Sequence, residues 1–266
     1  MTPDNFNTTR TLSVLIAVLA TVAAVGGLVV PGLYRDSDFI KNAWFANDWV
    51  TLVAATPALV VAMRPAKRGS MRAQLVWMGL LLYILYNFAF YLFGAAFNEF
   101  FLLYVALFTL SMYALIFGLP QLDIRAIGGS FSEKTPVRRI AGFLFLMTVP
   151  LILVEGGMCI RFLFTGVVPP TPSLIFALDM AFVIPGGILS AIWLWQRRAW
   201  GFVLATMMLV KCITYGMVLS TAALLLVWKN HPEQDALLPF YLFVFIGSTV
   251  ACIVLLRNLK QQPSAF

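Results

Sequence analysis

Residues 200–228 read WGFVLATMMLVKCITYGMVLSTAALLLVW, an apolar run bracketed by Trp200 and Trp228 with one lysine, Lys211, near its middle. At about 1.5 Å of helical rise per residue, the run is long enough to cross the roughly 30 Å hydrocarbon core of a bilayer. A lysine at that depth has no water around it, so another segment must bring it negative charge. Two segments qualify: Glu155 and Asp179 each interrupt an otherwise apolar run.

The rest of the chain has the same character. Hydrophobic residues make up 61% and charged residues 11% of 266 positions, and the mean hydropathy is +0.92. Soluble domains run at roughly 45–50% apolar and about 25% charged, so composition excludes a soluble enzyme or binding module. The expected fold class is all-α: a polytopic transmembrane helix bundle of about eight spans with no sizeable soluble domain. The net charge of +7 does not point to nucleic acid, because the basic residues stand in short clusters between apolar runs, as topology signals do. The partner implied is the lipid bilayer, and any ligand is a small molecule or a cation.

Working outward from Trp200–Trp228, the expected spans lie near 11–30, 49–63, 74–93 and 100–119 in a first half, 1–119. After a linker loop at 120–139, rich in Gly, Ser and charge, they lie near 140–161, 174–195, 200–228 and 237–256 in a second half, 140–266. The run Thr11–Val30 is longer than a signal-peptide core and is expected to stay as the first span. Tyr34 to Trp49, with Arg35, Asp36, Asp38, Lys41 and Asp48, is expected as a loop. The polar loop Lys229–Asp235 carries the lone histidine, His231, expected to be an ordinary loop residue.

Orientation follows from charge. Arg10; Arg64, Lys67, Arg68 and Arg72; Arg125, Lys134, Arg138 and Arg139; Arg197 and Arg198; and Arg257 and Lys260 all fall on one side of an eight-span topology. The other side holds only Arg35, Lys41, Arg161 and Lys229. The positive-inside rule then places both termini, and the 120–139 linker, in the cytoplasm. A weak internal repeat is also present: a shift of 128 positions superposes Pro57 on Pro185 and Tyr83 on Lys211, and a shift of 130 superposes Gly26-Gly27 on Gly156-Gly157. It is the pattern of two parallel four-helix repeats.

Depth brings the buried charges together. Glu155 lies six residues before Arg161 and Asp179 six after Ser173, which puts both roughly 9 Å below the outer surface. Lys211 starts deeper, and its stem reaches outward toward them. Two carboxyls and one ammonium leave a net charge of −1. Arg161 swings in to neutralise it, one carboxyl keeps its proton, or a cation or cationic substrate group completes the site. Tyr215, one turn beyond Lys211, and a stripe of Tyr83, Asn87 and Tyr91 on the third span would add hydroxyls, an amide and π-faces to the same cavity. The candidate substrate- or ion-binding residues are thus Glu155, Asp179, Lys211, Tyr215, Arg161, Tyr83, Asn87 and Tyr91. The plainer alternative is that these charges lock helices together, with Gly156-Gly157 and Gly186-Gly187 as packing points or kinks.

No nucleotide, zinc-protease or serine-hydrolase motif occurs. One histidine and three dispersed cysteines, Cys159, Cys212 and Cys252, suggest neither a metal site nor a haem, and no cofactor or catalytic residue is assigned. The stretches Tyr91–Asn98 (YLFGAAFN), Phe101–Tyr104 (FLLY) and Ala177-Leu-Asp179, with Leu194-Trp195, Arg197-Arg198, Trp200-Gly201 and Leu209-Val-Lys211, resemble uncharacterised bacterial multi-pass integral membrane proteins of unknown function. The resemblance spans the third to seventh helices and implies a bacterial cytoplasmic-membrane protein without implying an activity. Three functions stay open: a small-solute or ion carrier, a non-catalytic assembly or sensory subunit, and a membrane-embedded enzyme acting on a lipid or isoprenoid.

Overall fold

The computed structural model describes residues 4–169, 172–228 and 237–260. His231 and residues 170–171 of the Pro-rich turn lie outside them. Among the described residues the protein is an all-α bundle in which eight helical spans are long and apolar enough to cross a membrane. They are α1 (Asp4–Val29); α2 (Asp38–Val50) continuing through a π-helical turn, Thr51–Ala55, into α3 (Thr56–Lys67); α4 (Met71–Gly94); α5 (Phe101–Gly118); α7 (Val137–Thr165); α8 (Ser173–Leu178) continuing through a second π-turn, Asp179–Val183, into α9 (Ile184–Trp195); α10 (Ala199–Trp228); and α11 (Leu238–Arg257). A short helix, α6 (Ile124–Ser130), lies between the fourth and fifth spans.

Two boundaries differ from those expected. Span two begins at Asp38 and not near residue 49, so most of the expected loop Tyr34–Trp49 is helix. Its polar side chains bond within the helix: the Asn42 and Asn47 amides donate to the carbonyls of Asp38 and Ala43 at 2.8 and 3.0 Å, and Lys41 pairs with Asp38 at 2.8 Å. The 120–139 segment is not free chain either. Asp123 caps α6 by accepting from the Ala126 N–H at 2.9 Å, α6 packs on α10, and the Arg197 guanidinium bonds the carbonyls of Ser132, Glu133 and Thr135.

Spans three and seven form the centre. Of their apolar stretches 78% and 67% are buried, against 17% for span five and 22% for span eight, so α4 and α10 have almost no lipid-facing side. They pack on each other through Gly79, where an added Cβ would stand 2.7 Å from Val210 and 3.2 Å from the Met207 Cα. Close approach of this kind is what holds helices together in lipid, where apolar surface alone provides no preference for helix over acyl chain.

The elements recur at a shift of 128 positions. Thr51–Ala55 maps onto Asp179–Val183, α3 onto α9 at both ends, and the start of α4 onto the start of α10. Each π-turn precedes a proline, Pro57 or Pro185. A proline lacks the N–H and crowds the carbonyl four residues back, and the widened turn relieves both problems. The tight turns that follow each contain one residue in the left-handed region, Gly69 (φ 85°) and Arg197 (φ 55°), again 128 apart. Contacts recur as well: α4 with α3 and α5, α10 with α9 and α11. Gly79 and Met207, which touch across the centre, are counterparts under the same shift. Gly26-Gly27 and Gly156-Gly157 are not alike: an added Cβ on Gly26 or Gly27 would strike Phe100 or Asp48, whereas Gly156 and Gly157 face open space.

Candidate functional site

The second π-turn presents Asp179 to the middle of the bundle. There it meets Tyr86 of α4, whose hydroxyl donates to Oδ1 of Asp179. The Tyr86 ring in turn lies beneath Lys211: Nζ is 3.8 Å from its centroid and 4.6 Å from that of Tyr215. Tyr86 and Tyr215 meet edge to face at 5.3 Å, and Phe90 stacks on Tyr215 at 6.1 Å. The ammonium thus rests on two π-faces that carry negative quadrupole charge. It is 4% exposed and makes no ion pair within 4 Å among the described residues.

Glu155, from α7, is the third member. It is buried and close enough to Asp179 for the two carboxyls to feel each other's charge, while its Oε2 has no hydrogen-bond partner among the described residues. The arrangement is an ammonium, a tyrosine bridge and a carboxyl pair, drawn from spans three, five, six and seven. Tyr86 precedes the 120–139 segment in the chain and the others follow it.

The eight expected residues therefore divide. Glu155, Asp179, Lys211 and Tyr215 lie in this cluster. Arg161 is exposed at the far end of α7 and makes no ion pair among the described residues. Tyr83 and Asn87 face the first π-turn: the Asn87 amide lies 3.5 Å from Oγ1 of Thr51, and the Tyr83 hydroxyl approaches the same threonine. Thr51, Tyr83 and Asn87 are the counterparts of Asp179, Lys211 and Tyr215 at the shift of 128. The Tyr83 hydroxyl and Asn87 Oδ1 are buried and lack hydrogen-bond partners among the described residues.

Tyr91 belongs to a third group, around Asp48. The Asp48 carboxylate is buried and accepts from the Tyr34 hydroxyl at 2.6 Å and the Tyr91 hydroxyl at 2.9 Å. Tyr34, Trp44, Tyr91 and Tyr104 pack their rings around it, with Trp44 4.8 Å from Tyr91 and Tyr104 5.0 Å from it. Gly27 is the position equivalent to Glu155, and any side chain there would collide with the Asp48 carboxylate and the Tyr34 hydroxyl. A buried carboxyl thus lies against Gly27 of α1, and 128 positions later α7 carries one of its own, Glu155.

Tyr86 and Asp48 were not expected at a site. The helical stripe of Tyr83, Asn87 and Tyr91 assumes that α4 has one buried face; Tyr86 lies on another face, buried because α4 contacts α3, α5, α8 and α10. Asp48 reads as a loop residue only while span two is taken to begin after it. No protein-family model, curated protein or solved structure matches this chain.

Proposed function

We propose that this integral membrane protein is a carrier for a small solute or ion, with its binding site at Glu155, Asp179, Tyr86, Lys211 and Tyr215. The observation that carries the reading is Lys211: a buried ammonium with no ion pair within 4 Å among the described residues, held between aromatic faces beside a carboxyl pair. Charges inside a membrane bundle are costly, at least about 2.5–3.5 kcal/mol each on the insertion scale, and mark solute or ion paths more often than ornament. A proton on the carboxyl pair, or a cationic group in its place, gives the site two states that differ by one charge.

The recurrence at 128 positions supports a mechanism. Two four-helix halves meeting along α4 and α10 would rock about that contact and open the site to either side in turn. The basic turns at one end favour both termini in the cytoplasm, and the resemblance noted above favours a bacterial cytoplasmic membrane.

A structural role is the competing reading, and one observation favours it: the Tyr86–Asp179 bond ties span three to span six across the halves. Thermal unfolding in detergent separates the two. Wild type, Lys211→Met and Asp179→Asn are melted against a panel of cations, amines and small acids. The carrier reading expects folded variants and at least one solute that stabilises wild type alone. Variants that fail to fold, with no solute shifting the wild type, would leave the cluster as helix glue.

A further inference from the structure

At the end of the bundle that carries the basic turns, the corner between α1 and α3 holds a cavity of about 470 Å³. Four basic side chains, Arg10, Arg64, Lys67 and Arg68, surround it above an apolar wall of Val14, Val60 and Met63. None of the four makes an ion pair among the described residues. Like charges gathered around one space repel, and an anion between them turns that repulsion into attraction.

The positions 128 residues later are built differently. At the shift of 128, Arg10 falls on Arg138 and Lys67 on Trp195. The Arg138 guanidinium lies over the Trp195 ring, 5.8 Å from its centroid. The counterparts of Arg64 and Arg68 are Ile192 and Gln196, both uncharged. One corner sets a single cation on an indole; the other gathers four cations around an open space.

We propose that this corner binds the phosphate of an anionic phospholipid. Arginine and lysine donors suit phosphate oxygens, and the depth, in the terminal turns of two spans, is that of the headgroups. The wall distinguishes a lipid from a free anion. Val14 and Val60 are 46% and 42% exposed on the outside of the bundle, where an acyl chain would lie along them and inorganic phosphate would gain nothing.

Native mass spectrometry of the purified protein tests this, with dioleoylphosphatidylglycerol, dioleoylphosphatidylcholine or inorganic phosphate as the added probe. Wild type should retain one phosphatidylglycerol in preference to phosphatidylcholine, and phosphate should not displace it. The double substitution Arg64→Gln with Lys67→Gln should weaken that retention about thirty-fold, on the scale of two basic residues at an anionic surface. The same charge removed at exposed sites elsewhere, Arg125→Gln with Arg139→Gln, should leave it unchanged. Val14→Trp keeps every charge and fills the cavity, and should also expel the lipid, so the test survives if the charge variant misfolds. Equal retention by wild type and both cavity variants, or equal loss in the Arg125/Arg139 control, would overturn the site. Displacement by inorganic phosphate would overturn the lipid as its occupant.

Discussion

Tyr86→Phe removes one atom from the centre of the candidate site. The ring 3.8 Å from Nζ of Lys211 remains, while the hydroxyl that donates to Asp179 is lost. Interhelical hydrogen bonds in membranes average about 0.6 kcal/mol and reach about 1.7, because separated helices find other partners. This bond ends on a buried carboxyl, so its loss belongs near the top of that range, at about 1.5 kcal/mol. Tyr86→Leu also removes the π-face beneath a desolvated ammonium, adding about 1–2 kcal/mol for a total near 3. Equilibrium unfolding in mixed micelles measures both, and a cycle with Asp179→Ala isolates the bond. The double variant should show a coupling of about 1.5 kcal/mol. Additivity to within about 0.3–0.5 kcal/mol would mean the bond contributes nothing. Equal losses for Phe and Leu would mean the same of the ring.

Gly27→Ala should be among the most damaging single-methyl changes, costing about 3 kcal/mol of unfolding free energy, because the new Cβ overpacks the site and parts Tyr34 from Asp48. Tyr91→Phe takes one of two donors from the same carboxylate and should cost about 1–1.5 kcal/mol by the same denaturation measurement. Gly69→Ala meets no atom within 4 Å, so its cost is purely the left-handed backbone at φ 85°, about 1–2 kcal/mol in the same assay. A neutral result there would show that the turn relaxes.

Spans and charges differ in how far sequence discloses them. A run such as 200–228 announces a membrane helix by length and apolarity alone, and the prolines at 57 and 185 mark the places where the two long helices widen. Span two is harder to read, since its first turns carry Asp38, Lys41, Asn42, Asn47 and Asp48. The Asn42 and Asn47 amides bond to carbonyls of their own helix and Lys41 pairs with Asp38, while Asp48 is met by Tyr34 and Tyr91, partners that come from tertiary packing and leave no local trace. Lys211, Asp179 and Glu155 stand out as charges in apolar runs; depth puts the two carboxyls at one level and Lys211 deeper, within reach of them by its stem. That Tyr86 mediates between Lys211 and Asp179 depends on α4 being enclosed on several sides, which hydropathy does not encode. Arg161, six residues from Glu155 in the sequence, extends outward at the bundle end, away from the cluster.

Solute uptake into proteoliposomes bears most directly on the carrier assignment. Wild type, Asp179→Asn and Lys211→Met, reconstituted at equal density, are compared using the solute that most stabilises the wild type. Saturable uptake and counterflow by wild type, absent from both folded variants, is the expected result. Uptake no greater than in empty liposomes, or unchanged in either variant, would contradict the assignment of transport to this buried site.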